Sequence, residues 1–249
     1  MILANELVKG KGASHSFNFT DVVFLHGLGS SSVMWEDAAQ FLADLGLNCH
    51  RFDFRGHGKT REEFIPTPLN VHVSDVRESL SYYNVKSPYV LIGHSLGGIV
   101  SFELASHDSS PIAGILALAM PIKVPYLTCF GFEMFLNFIY PVIKTTGFYK
   151  VLSWREQILV ETDEYSLREI LSNIRHINFF SDSKYEAIKI PVHFACGDID
   201  PVAILADTKK FQAKMLNSSL KTFKLGGHNF MDYKKNEFKG WLKEKLDSL

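Results

Sequence analysis

Cysteine is scarce in this chain of 249 residues: Cys49, Cys129 and Cys196 stand far apart, odd in number and without a CxxC spacing. That pattern excludes a disulfide framework or a zinc ribbon. It leaves three small buried hydrophobes in a reducing compartment, with a cytoplasmic location expected. Neither sign of charge is in excess. Lys and Arg number 26 against 27 Asp and Glu, a formal net charge of -1, which gives no electrostatic reason to expect nucleic acid or an acidic membrane as partner. Met1 to Leu7 lacks a basic n-region and a long apolar h-region and reads as a poor signal peptide. The stretch from Pro125 to Ile143 is apolar enough to need a membrane check, but it carries Glu133 and Asn137 in mid-span and is interrupted by Gly131 and Pro141. A charge at bilayer depth costs at least about 2.5 kcal/mol, so no stable membrane insertion is expected, and a lid facing an apolar pocket accounts for the segment better. Internal repeats and low-complexity linkers are also lacking.

What is present is a βα rhythm. A chain of this length buries roughly three quarters of its unfolded surface, enough for one domain with a sizeable insertion. Short apolar runs are predicted as strands at Val22 to Leu25, Leu47 to Phe54, Tyr89 to Ile92, Ile112 to Met120, Val192 to Cys196 and Leu220 to Leu225. Helical spacing separates them at Trp35 to Leu45, Val71 to Tyr83, Ser95 to His107, Ala203 to Leu216 and Phe238 to Leu246. The rhythm stops at Pro121 and resumes near residue 188. The predicted fold is therefore α/β, a mainly parallel twisted sheet flanked by helices, formed by residues 1–121 and 188–249. Residues 122–187 form an inserted helical cap.

The strongest local pattern is Gly93-His94-Ser95-Leu96-Gly97, a G-x-S-x-G run with a strand before it and a helix after it. A serine raised on so sharp a turn needs glycine neighbours, because a Cβ at 93 or 97 would collide with the turn. A serine hydroxyl also needs a base. His228, in Gly226-Gly227-His228-Asn229-Phe230, falls after the last strand, at the same carboxyl edge of the sheet as Ser95. A carboxylate to orient it is offered by Gly197-Asp198-Ile199-Asp200-Pro201. Asp200 is favoured because the following proline stiffens the turn and starts a helix, while Asp198 suits a turn role. The candidate catalytic residues are thus Ser95, Asp200 and His228. The backbone N–H groups of Leu28 and Leu96 are the candidate oxyanion donors, the first set among the glycines of His26-Gly27-Leu28-Gly29.

These runs, together with Asp53-Phe54-Arg55-Gly56-His57-Gly58, resemble the α/β-hydrolase superfamily in order and spacing, in its branch with a helical cap. The resemblance implies a serine hydrolase with no cofactor or metal, Arg55 and His57 as structural loop residues, and His94 as a shaper of the serine turn. Thr60 departs from the serine common at that place in the family. A serine nucleophile argues against the dehalogenase and epoxide hydrolase branches, and Leu96 in place of Met argues against perhydrolase activity. The cap aromatics Phe130, Phe132, Phe135, Phe138, Tyr140, Phe148, Tyr149 and Trp154 suggest a small, apolar acyl or aromatic substrate. A carboxylic ester is expected, with a thioester next. Hydrolysis of a carbon–carbon bond by the same triad and non-catalytic binding of a small molecule are the competing readings.

Overall fold

The computed structural model describes residues 1–12, 17–60 and 68–249. Seven strands form one sheet in the order β1-β3-β2-β4-β5-β6-β7. They are β1 (Asn5–Val8), β2 (Asp21–Leu25), β3 (Asn48–Phe52), β4 (Tyr89–His94), β5 (Ile112–Leu118), β6 (Val192–Gly197) and β7 (Ser218–Phe223). All neighbours are parallel except β1, which runs antiparallel to β3 at the edge. The parallel strands need helical crossovers, and those crossovers cover both faces.

The two faces are written into each strand with a period of two. Val22 and Phe24 of β2 enter one core with Val90 and Ile92 of β4, beneath helix α1 (Glu36–Asp44) and the closing helix Lys235–Asp247. Val23, Leu25 and Leu91 enter the other, beneath α2 (Leu69–Tyr82) and α3 (Leu96–His107). Every residue of β2 and β4 is buried, so these strands show no polar alternation and read as continuous apolar runs.

β1 is absent from the sequence-based expectation. It has four residues, two of them Asn5 and Glu6, and its pairing with β3 is a long-range contact that local pattern does not signal. Thr60 helps to fix it: its hydroxyl donates to Asp53 O at 2.8 Å and accepts from Ala4 N at 2.8 Å. The departure at position 60 thus retains a hydroxyl with two partners.

All strands lie outside residues 122–187. Between β5 and β6 the chain forms a 21-residue helix, Tyr126–Thr146, with a π-turn at Phe135–Ile139, then helices Trp154–Glu161 and Glu164–Ile174. Val124, Cys129, Leu136, Tyr140, Val160, Leu167 and Leu171 give this region a small core of its own. The three cysteines are free and buried.

The long helix corrects the expectation of an inward-facing aromatic lid. Phe130, Phe138, Phe148 and Trp154 are exposed, Phe132, Phe135 and Tyr149 are half-buried, and only Tyr140 is enclosed. Composition alone does not distinguish the two sides of a helix that is apolar nearly all round.

Candidate active site

β4 ends in the sharp turn that holds Ser95. Its φ of 50° and ψ of -111° lie outside the ordinary regions for an L-residue, and the strain is held from both sides. Ser95 N donates to Leu118 O at 2.9 Å, and Ile99 N donates to Ser95 O at 3.2 Å. A Cβ at Gly93 would stand 2.4 Å from Gly97 O, and one at Gly97 would stand 2.1 Å from Leu25 O. Neither contact is tolerable, so both glycines are sterically required.

α3 starts immediately behind the serine. The N–H of Leu96, at the first helical position, has no intrahelical acceptor and lies at the positive end of the helix dipole. Leu28 lies in the loop after β2, and its N–H has no protein acceptor among the described residues. Leu28 lines the cavity beside Ser95, whereas the side chain of Leu96 is packed in the core behind it.

The loops after β6 and β7 deliver the other two groups. His228 Nδ1 lies 2.9 Å from Asp200 Oδ2 and 3.1 Å from Oδ1. Asp200 is buried, and its Oδ1 also accepts from Val202 N at 2.8 Å and Ala203 N at 3.0 Å. Three donors therefore converge on one carboxylate and fix its orientation. Asp198 is exposed and points elsewhere, accepting from Gly226 N at 3.1 Å and tying the two loops together.

Ser95 and His228 line the same cavity of about 210 Å³, with Leu28, Phe132, Arg155 and Leu159. Among the described residues no hydrogen bond joins Ser95 to His228. Such a bond is often open in a ligand-free site and tightens in the complex.

His94 has a larger part here than shaping a turn. Its ring lies 4.8 Å from that of His228, and its Nε2 is 3.0 Å from His228 O. A carbonyl only accepts, so Nε2 carries the proton and the ring is neutral. Burial holds its pKa well below the usual histidine range, with the neighbouring His228 adding to the effect. His94 thereby anchors the backbone that presents His228. Gly27 makes room for it: a Cβ there would stand 2.7 Å from His94 Nδ1 and 3.3 Å from Ser95 Cβ.

His26 and His57 brace the Leu28 loop. His26 Nδ1–H donates to Gly27 O at 2.7 Å, and its Nε2 accepts from Phe54 N at 2.9 Å. His57 Nδ1–H donates to Arg55 O at 2.9 Å, and its Nε2 accepts from Gly29 N at 3.1 Å. Desolvation lowers the two pKa values to about 4 and about 3. Arg55 forms a buried bidentate pair with Asp75, at 2.8 and 2.9 Å.

The helices between β5 and β6 contribute residues that no local pattern flagged. Arg155 reaches over the cavity and forms a bidentate pair with Asp232, four residues beyond His228. Leu159 packs into the open side of Gly29, where a Cβ would come within 2.3 Å of its Cδ1. That glycine seats the cap, a role beyond the close approach to a substrate carbonyl expected for the motif. The two partners of the Arg155 pair lie 77 residues apart in sequence.

Comparison with known proteins bears on the family and the fold. The pimeloyl-(acyl-carrier protein) methyl ester esterase of Vibrio cholerae is 26% identical over 103 residues, covering 41% of this chain and 38% of that protein. The monoglyceride lipase of Rattus norvegicus is 28% identical over 127 residues, covering 47% of this chain and 42% of that protein. The match thus spans less than half the length of either relative. An esterase from Exiguobacterium antarcticum superposes with a TM-score of 0.83 over 98% of this chain and 95% of that one, at 16% identity, so it shares the fold. The model of the alpha/beta hydrolase family matches residues 22–235. The chain belongs to the alpha/beta hydrolase family.

Proposed function

We propose that this protein is a serine hydrolase of small carboxylic esters, with thioesters as secondary substrates. The observation that carries the reading is the strained serine at the head of α3, on the wall of a cavity shared with a histidine whose Nδ1 is held by a buried aspartate. Similarity over part of the chain to a methyl ester esterase and a monoglyceride lipase supports the class.

In the proposed cycle Ser95 Oγ attacks the ester carbonyl carbon while His228 Nε2 takes its proton. Asp200 keeps the proton-bearing Nδ1 in place and offsets the positive charge that develops on the ring. The carbonyl oxygen, now an anion, is received by the N–H groups of Leu28 and Leu96. His228 returns the proton to the departing alcohol. It then takes one from water as the hydroxide attacks the acyl-serine, and gives it back to Ser95 as the acid leaves. The cavity, about 210 Å³ and walled by Phe132 and Leu159, is below the roughly 300–1,000 Å³ usual for drug-sized ligands. It suits a short acyl or small aromatic group.

A fluorophosphonate probe tests the assignment. Labelling is expected at Ser95, abolished in Ser95→Ala and strongly reduced in His228→Ala. A series of nitrophenyl esters is expected to give its highest kcat/KM at the short-chain end. Strong labelling of His228→Ala would overturn the choice of base, and turnover of a vinylogous diketone without ester turnover would favour carbon–carbon hydrolysis.

A further inference from the structure

The outer face of the long cap helix has no protein covering. Tyr126–Thr146 is long and apolar enough to cross a membrane by length and composition, yet only 17% of its apolar stretch is buried. Its inner side, with Cys129, Leu136 and Tyr140, packs on the cap core. Its outer side presents Tyr126 and Leu127 at 78% exposure each and Phe138 at 64%, and Val151 beyond the helix is 76% exposed. A soluble surface rarely leaves so continuous an apolar patch in water without a use for it. The helix does not span a bilayer, because its inner side is held to the protein along its length and Thr128 Oγ1 donates to Pro201 O at 2.9 Å at its first turn.

Charge around the patch departs from the balance of the whole chain. Residues 123–151 carry Lys123, Lys144 and Lys150 against the single acid Glu133, which is paired with Arg175. Lys144 Nζ donates to Tyr140 Oη at 3.0 Å and lies over its ring, while Lys123 and Lys150 form no ion pair among the described residues and are exposed, one beyond each end of the helix. An exposed aromatic and aliphatic face with an exposed lysine beyond each end matches a layer of lipid headgroups better than a second protein. Lysine is depleted from protein interfaces, whereas it reaches outward readily to anionic headgroups.

From this we infer that the outer face of helix Tyr126–Thr146, with Val151, docks the protein on the surface of an anionic phospholipid bilayer, lying in the headgroup layer without crossing it. Phe132 on the same helix lines the Ser95 cavity. The membrane surface would then lie about one helix diameter, roughly 10–12 Å, from the cavity wall. Docking is independent of which bond the cavity cleaves.

The test is co-sedimentation of the full chain with sucrose-loaded phosphatidylcholine vesicles, with or without about a quarter phosphatidylserine. The wild type is expected to sediment with the anionic vesicles, more weakly at high salt and on pure phosphatidylcholine. The double variant Leu127→Ser/Phe138→Ser is expected to lose about tenfold or more in partitioning, and Lys150→Glu a smaller, salt-sensitive part. Both variants should keep wild-type hydrolysis of a water-soluble nitrophenyl ester, which shows that they fold. Failure of the wild type to bind anionic vesicles, or equal binding by the double variant, overturns the inference. So does a wild-type dimer that the double variant dissociates without any vesicle binding, since the face would then cover a second copy. The Ser95→Ala protein is expected to bind vesicles like the wild type. Docking without any hydrolysis would overturn the ester reading and leave the docking intact.

Discussion

At the scale of single residues, the two aspartates of one turn show how position decides chemistry. Asp198 and Asp200 are two residues apart, yet one is exposed and accepts a backbone N–H, while the other is buried against an imidazole. Replacing Asp200 by Asn keeps the shape but puts a neutral amide opposite Nδ1. In the proposed cycle this would permit the wrong tautomer and remove the charge that offsets the imidazolium. Turnover of a nitrophenyl ester is expected to fall by about 10⁴-fold in Asp200→Asn. Asp198→Asn retains an oxygen that accepts from Gly226 N and is expected to lose less than about tenfold. Single-turnover acylation kinetics on the two variants checks this, and the reverse order would reassign the acid. Contrary to the expectation from sequence, Pro201 does not start the next helix, which begins at Leu205; the bonds from Val202 N and Ala203 N orient the carboxylate. No sequence signal marked His94 as the anchor of the His228 backbone. That hydrogen bond joins positions 134 apart, and the family resemblance implies for His94 only the shaping of the serine turn.

At the scale of elements, the sheet was legible because its central strands β2, β4, β5 and β6 are buried on both faces and appear as largely apolar runs, while β3 and the half-buried edge strand β7 carry a weaker pattern. Their ends were less legible. β5 stops at Leu118, and Ala119 takes a positive φ of 46°, although the apolar run continues to Met120. The helix expected over Ala203 to Leu216 is confined to Leu205–Gln212. The orientation of the cap was the least legible feature, since a helix apolar on both sides carries no directional pattern. The inserted helices join the core through apolar packing of Ile170, Phe179 and Tyr185 and through a few polar ties near the cavity. Arg155 with Asp232 and Thr128 with Pro201 O hold them across the mouth of the cavity. Arg155→Ala removes the bidentate ion pair that ties helix Trp154–Glu161 to Asp232. Amide exchange in that helix is expected to rise by about tenfold or more, with β4 and α3 unchanged, which hydrogen-exchange mass spectrometry reads directly. Uniform exchange across cap and core in that variant would show that the cap is held elsewhere.

At the scale of the whole molecule, the loops that carry the site are braced by histidines that fold only as neutral rings. Desolvation lowers His26 to about 4, His57 to about 3 and His72 to about 3, each from an ordinary value of 6.5. The sign follows from linkage. Below pH 6.5 the unfolded chain takes up protons at these rings and the folded chain does not, so stability is complete above that pH and declines as pH falls toward 4. Each ring contributes a slope of about 1.4 kcal/mol per pH unit within the window. The Tm is therefore expected to be level from pH 8 to 7 and to fall steeply from pH 6 to 4. His72 isolates the effect. Neither of its ring nitrogens has a hydrogen-bond partner among the described residues, and its ring meets Phe54 edge-on at 5.4 Å. His72→Phe removes one titrating ring without breaking a hydrogen bond, so it is expected to flatten the stability–pH slope by about one proton's worth, 1.4 kcal/mol per pH unit. His57→Phe also removes one titrating ring, but it breaks the bonds to Arg55 O and Gly29 N and is expected to destabilise the fold at every pH. Denaturant melts of the three proteins at pH 7 and pH 5 separate the two effects. A wild-type stability unchanged between those pH values would mean that the buried imidazoles are not held neutral by the fold.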